Sequence, residues 1–198
     1  THKDGHNIPV EVVGKTMPQL HGDYRIVVAR DISARKKVEE REAFLALHDA
    51  LTELPNRRHL MEQLERQIAQ AQQANRHLAV LFIDLDHFKT MNDSLGHHAG
   101  DQLLCEVAHR FTRCVRSADI VARLGGDEFV IVLTDIHHAD EAALVADKLL
   151  QAMQSVFTLE HVPVTMSPSI GISLFPDDGT RSEVLLRCAD AAMYHAKE

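Results

Sequence analysis

The sequence predicts a mixed α/β (α+β) fold: a sheet of about five strands flanked by helices, with a short β segment and a connecting helix in front. Three observations predict it. From residue 49 onward, stretches with helical spacing alternate with short apolar runs. The run Leu78-Ala79-Val80-Leu81-Phe82-Ile83 ends in Asp84, which suits a central strand buried on both faces. Two β-rich runs, 119–124 and 128–133, are separated by Gly125-Gly126-Asp127. That is hairpin spacing, with glycine where the turn needs positive φ.

The elements follow in order. Residues 1–32 read as strands, because Ile8, Val10, Val12 and Gly14 alternate and 24–30 is β-rich, with turn chemistry at Gly22-Asp23. Two strands alone are marginal in water, so this segment ends a larger sheet domain or packs on the next one. Residues 33–48 form a charged linker helix capped by Ser33. Val38 and Leu45 lie seven apart, with Phe44 and Leu47 beside them, so the helix is either solvated or a short coiled coil joining two chains.

Residues 49–198 make the main domain. Residues 56–75 are helical, with Leu60, Leu64, Ile68 and Ala71 on one face. Leu103, Leu104, Val107, Ala108 and Phe111 mark the next amphipathic helix, and 139–156 a third. Residues 162–166 and 169–174 read as strands, with Pro168 at a strand start. Pro176-Asp177-Asp178-Gly179 is a turn, and 183–197 is the last helix.

Composition narrows the function. The 198 residues are 45% hydrophobic and 25% charged, ordinary for a soluble globular protein. No apolar run approaches the roughly 20 residues needed to span a bilayer. The polar opening Thr1-His2-Lys3-Asp4 carries no signal peptide, and the absence of an initial Met reads as a piece of a longer chain. The expected location is the cytoplasm, as a free protein or as the cytoplasmic part of a membrane-anchored one. The net charge of -8 argues against DNA or RNA binding, which needs a basic face, but not against a nucleotide paired with a metal ion. Cys105, Cys114 and Cys188 lack metal-ligand spacing and read as reduced, buried or half-buried thiols. Most of the 14 histidines read as surface residues.

Two acidic segments carry the chemistry. Phe82-Ile83-Asp84-Leu85-Asp86 puts carboxylates at the rim of a sheet, where Mg²⁺ binds through one or two acids plus substrate phosphates. Gly125-Gly126-Asp127-Glu128 puts two more at a tight turn. Each alone also suits a plain strand end or polar turn. If the strand ending at Asp84 pairs with the strand starting at Glu128, the acids converge and repel, and a divalent cation relieves the conflict.

The string Arg123-Leu124-Gly125-Gly126-Asp127-Glu128-Phe129 resembles the defining motif of GGDEF-domain diguanylate cyclases. Further segments resemble the family in order and spacing: Asp49 through Arg57, Phe82 through Lys89 with Asn92-Asp93, Gly96 through Asp101, Ser169-Ile170-Gly171-Ile172, and Ala189 through Lys197. The resemblance covers about residues 47–198. It implies a nucleotidyl-cyclase-like fold with a mostly antiparallel sheet, and condensation of two GTP into cyclic di-GMP with release of pyrophosphate. It implies Mg²⁺ or Mn²⁺ on Asp84, Asp127 and the Leu85 carbonyl. It implies guanine contacts from Asn92 and Asp101 with His97 in the same pocket. Lys89, Lys197 and the backbone at Phe88 would neutralise the triphosphate, and Asp127 with Glu128 would help deprotonate the 3′-hydroxyl. A homodimer is implied, because one domain holding one GTP cannot close a two-nucleotide ring.

Arg116-Ser117-Ala118-Asp119 resembles the family's RxxD inhibitory site, where cyclic di-GMP would bind as product and inhibitor through Arg116 and Asp119. By residue type alone, the same pair reads as a local ion pair worth little. Asp101 likewise reads, on its own, as an acid at a helix start. Residues 3–35 resemble the closing strands and exit linker of a PAS sensor domain. Glu53 departs from the family's usual Gly, which strains a loop needing positive φ. The chain stops at Glu198, where the family continues, and its last helix resembles those followed by an EAL phosphodiesterase domain. The alternative to a working cyclase is an inactive GGDEF module that binds GTP or cyclic di-GMP and regulates such a neighbour.

Overall fold

The structure, a computed structural model, describes residues 7–17 and 24–197. The Gly22-Asp23 turn and the segment Lys3-Asp4-Gly5-His6 lie outside the described residues. The chain divides into two compact units, Thr1–Ala46 and Leu47–Glu198.

In the first unit, β1 (Val10–Met17) pairs antiparallel with β2 (Tyr24–Asp31). Helix α1 (Ser33–Leu45) follows and buries none of its residues, leaving Val38 and Leu45 exposed. Ser33 is not the cap that the sequence predicts. It is already the first helical residue, and its backbone N–H donates to Asp31 Oδ1 at 2.8 Å. The aspartate, two positions before the serine, accepts that orphan donor.

The second unit begins with α2 (Arg57–Ala74), whose buried residues are the predicted Leu60, Leu64, Ile68 and Ala71. Asn56 caps it by accepting from His59 N–H, and Asn75 ends it in a left-handed conformation. Then come β3 (His77–Leu85), α3 (Phe88–Leu95), α4 (His97–Cys114), β4 (Ile120–Gly125), β5 (Glu128–Ile136), α5 (Ala139–Gln154), β6 (Phe157–Leu159), β7 (Val162–Val164), β8 (Pro168–Phe175) and α6 (Ser182–Lys197). The main sheet has four strands in the order β4-β5-β3-β8, every pair antiparallel. The remaining strands β6 and β7 form a separate ribbon, so the expected strand at 162–166 lies outside the sheet and ends at Val164.

β3 is central and buried on both faces, which explains its unbroken apolar run. Leu81, Ile83 and Leu85 face a core completed by Phe88, Leu103, Phe111 and Leu149. Val80 and Phe82 face a second core completed by Leu60, Leu64, Leu185 and Met193. The helix α6 lies directly on β8. A Cβ on Gly171 would come within 2.0 Å of Met193 N and 2.1 Å of the Ala189 carbonyl, so only glycine fits that crossing.

Three further details differ from expectation. Helix α4 starts at His97, so Asp101 sits beyond its first turn and is not the helix-start acid that residue type alone suggested. The short helix α3 is not among the expected elements, although its buried Phe88 and Met91 share one face. Cys105 is exposed on the outer side of α4, where its thiol donates to the Leu51 carbonyl, whereas Cys114 and Cys188 are half-buried as expected. Glu53 does adopt positive φ, at 59°.

Candidate active site

The site forms at one edge of the sheet. Asp84 sits near the end of β3, and its registered partners are Glu128 on β5 and Ser169 on β8. Glu128 in turn pairs with Gly125 across the turn. Gly125 and Gly126 have φ of 143° and 53°, conformations that L side chains adopt poorly. The hairpin glycines are therefore required by the backbone, and they carry Asp127 to the same rim as Asp84. The convergence that rested on an assumed strand order is a fact of register.

The electrostatics follow from that register. Burial pushes the Asp127 carboxyl up, and the negative charge of Asp84 pushes it further. Burial also raises Glu128, with Asp190, Asp127 and Asp84 adding to the shift and the Arg57 guanidinium opposing it. Lys197, at the end of α6, donates to Asp84 Oδ1 at 2.5 Å, and that bond raises the ammonium above its ordinary value. Asp86 beside them is committed elsewhere: it accepts from the Ser167 and Ser169 hydroxyls at 2.6 and 2.7 Å.

Among the described residues, no group of three His, Cys, Asp or Glu side chains is placed to hold a metal ion unaided. The donor set still fits Mg²⁺ or Mn²⁺. Asp84 and Asp127 are hard oxygen donors that repel one another, and such ions characteristically take one or two carboxylates with the rest from phosphates and water.

Most of the other predicted residues lie on the two helices that follow β3. His87 is left-handed at φ 59° and turns the chain from β3 into α3, so Phe88 and Lys89 open that helix, which the His87 side chain does not cap. Phe88 is buried and Lys89 exposed. Asn92 lies further along α3 against Gly100 of α4, one residue before Asp101, and its Oδ1 is buried without a hydrogen-bond partner. His97 and Asp101 are exposed on α4. Arg116 and Asp119 do not join this group. They precede β4, at the end of that strand remote from the hairpin. They are also not an ion pair. The Arg116 backbone N–H donates to Asp119 Oδ2 at 2.9 Å, Thr134 N–H donates to Oδ1, and the guanidinium instead faces Glu141 at 4.0 Å.

Sequence reasoning missed the residue that supports the hairpin. Arg123 is 8% exposed within β4. Its guanidinium donates to the Gly126 carbonyl at 2.7 and 3.1 Å and to Asp49 Oδ1 at 2.8 Å. Asp49 also accepts from the Thr52 N–H and hydroxyl. Burial alone would raise Asp49, but these donors outweigh it and hold the carboxyl below its ordinary value. The available signal was a charged residue inside an apolar strand, which demands a buried partner.

A sheet of four antiparallel strands with an acidic glycine hairpin at its rim defines the GGDEF class of nucleotidyl-cyclase-like domains. The family described as "Diguanylate cyclase, GGDEF domain" matches residues 46–198, and the chain belongs to it. The chain is 52% identical over 155 residues to the bifunctional diguanylate cyclase/cyclic di-GMP phosphodiesterase MucR of Pseudomonas aeruginosa, covering 78% of this chain and 22% of that protein. It thus spans about a fifth of that relative's length. The solved GGDEF domain of TpbB (YfiN) from the same species superposes with a TM-score of 0.74 at 44% identity, covering 76% of this chain and 88% of that one. The coiled coil and GGDEF domain of DgcB from Caulobacter crescentus, solved in complex with c-di-GMP, gives a TM-score of 0.74 at 25% identity, covering 84% of this chain and 88% of that one. No described helix is long and apolar enough to cross a membrane.

Proposed function

We propose that this chain is a working diguanylate cyclase domain that condenses two GTP into cyclic di-GMP and pyrophosphate as a homodimer. The observation that carries this reading is the pairing of Asp84 with Glu128, which brings two acidic segments to one rim beside Lys197. Asp84, Asp127 and the Leu85 carbonyl would hold Mg²⁺ or Mn²⁺. When bound, that ion supplies Lewis-acid stabilisation of the phosphoryl oxygens.

The chain's own groups do the rest. The N–H groups at Phe88 and the side chains of Lys89 and Lys197 hold phosphate oxygens. Asn92 and Asp101 hydrogen-bond the guanine, with His97 at the pocket wall. Asp127, aided by Glu128, accepts the proton of the 3′-hydroxyl. Binding and positioning account for most of the rate in such transfers. Cyclic di-GMP would bind at Arg116 and Asp119 and inhibit. There the exposed guanidinium is available to a phosphate or guanine edge, while Asp119 shapes the turn. Residues 1–32 would close a PAS sensor, and α1, with Val38 and Leu45 exposed, would pair two copies in the cytoplasm.

A second reading rests on the likeness to a bifunctional relative. In it, the domain binds GTP or cyclic di-GMP without turnover and controls an EAL phosphodiesterase domain. Incubating the dimer with GTP and Mg²⁺ and assaying for cyclic di-GMP separates the two. Product supports the first reading; a folded dimer that makes none but binds cyclic di-GMP tightly supports the second. Arg116→Ala is expected to relieve product inhibition while early turnover persists, and unchanged inhibition would remove this site.

A further inference from the structure

Gly100 is the fourth residue of α4, within an otherwise regular helix. A helix interior disfavours glycine, and the backbone here does not require it, because Gly100 is not among the described positive-φ residues. The reason for glycine lies in what faces it. A Cβ at this position would stand 1.8 Å from Asn92 Oδ1, 2.8 Å from its Cγ and 3.1 Å from Nδ2. The carboxamide oxygen therefore occupies the space a methyl group would take, with the rest of the amide packed close behind it. The same Oδ1 is buried and accepts no hydrogen bond. A buried acceptor without a donor is costly unless something supplies one.

We propose that Gly100 is a positioning residue for base selection: its missing side chain is the slot that holds the Asn92 amide against α4 and aims it at the guanine. This rests on the reading of Asn92 as a guanine contact. Guanine offers N1–H and a 2-amino group as donors with O6 as acceptor, whereas adenine presents an acceptor at N1 and a donor at C6. An amide fixed in one pose tells these edges apart, and an amide free to rotate does so poorly. The obstructing atoms belong to the end of a flexible side chain, so alanine at this position displaces Asn92 rather than the helix.

The test is the binding of GDP and ADP, which cannot be cyclised, to the whole chain with Mg²⁺, measured by calorimetry beside the melting temperature. Gly100→Ala is expected to keep or raise the melting temperature, as alanine favours a helix, while the GDP-over-ADP preference falls roughly tenfold, the worth of one lost hydrogen bond. Preference remains in part because Asp101 is untouched. Asn92→Ala is expected to give the same loss, and the double variant little more than either alone. An unchanged preference in Gly100→Ala, with the loss still seen in Asn92→Ala, overturns the proposal and leaves the nucleotide reading intact. A parallel loss for both nucleotides with a lowered melting temperature makes Gly100 merely structural and also overturns it. If Asn92→Ala keeps the full preference, or the wild-type chain binds neither nucleotide, the underlying reading of Asn92 fails first.

Discussion

Arg123 stands between two acidic regions that behave in opposite ways. On one side, Asp49 takes donors from Thr52 and from the guanidinium itself, and its carboxyl is held low. On the other, the hairpin that Arg123 braces through the Gly126 carbonyl presents Asp127 and Glu128, whose carboxyls are pushed up by burial and by neighbouring acids. One arginine thus completes a structural acid and supports a strained pair. Stabilised acids build the frame, and acids left in conflict mark where chemistry is to be expected.

The comparison breaks most sharply at Asp127. Asp127→Asn is expected to cut turnover by at least about a hundredfold, as when a charge-stabilising group is removed from a site. Its melting temperature should rise, because a repelled charge has gone. A lowered melting temperature would place Asp127 in the same class as Asp49. Next in size is Arg123→Ala, which leaves Asp49 without its buried cation and the turn without its brace. A loss of about 3 kcal/mol in chemical denaturation is expected, with slower turnover. If stability holds, the frame does not depend on this pair.

The pH dependence separates the two regions further. Asp49 ionises below its unfolded value, so its stabilisation is present above that value and disappears as pH falls through the lowered folded one. Asp127 and Glu128 ionise above theirs, so their charges oppose folding at neutral pH, and the opposition fades as pH drops through the raised folded values. The melting-temperature advantage of Asp127→Asn over wild type should therefore be largest near pH 7 and vanish by about pH 4. A constant advantage would trace it to packing instead. The smallest effect is Asn56→Ala, which removes the α2 cap beside the Asp49 loop. It should cost about 1 kcal/mol without altering turnover.

How far the sequence could be read depended on length of pattern. Helix α2 was legible to the residue because four turns repeat one face. β3 was legible because burial on both sides leaves an unbroken apolar run. Helix α3 was not, since at eight residues its Phe88–Met91 face is too short to tell from a turn. β6 and β7, at three residues each, fall below what alternation can reveal. At the site, the hairpin glycines and acids were readable from turn chemistry. The brace from Arg123 to Asp49 was not, because it joins residues 74 positions apart and only the fold sets that distance.

The placement of β3 has a consequence for how the domain assembles. This central strand pairs with β5 and β8, and neither follows it directly in the chain. The Lys197–Asp84 bond spans 113 positions and needs the final turn of α6 in place. Contacts of such separation form late, after the entropy of closing long loops has been overcome. The rim is thus a gauge of completion. Fraying of the last turn of α6 removes Lys197 from the rim while the β3–β5 register that pairs Asp84 with Glu128 remains. Amide exchange in the last turns of α6 should then set the lifetime of the assembled rim.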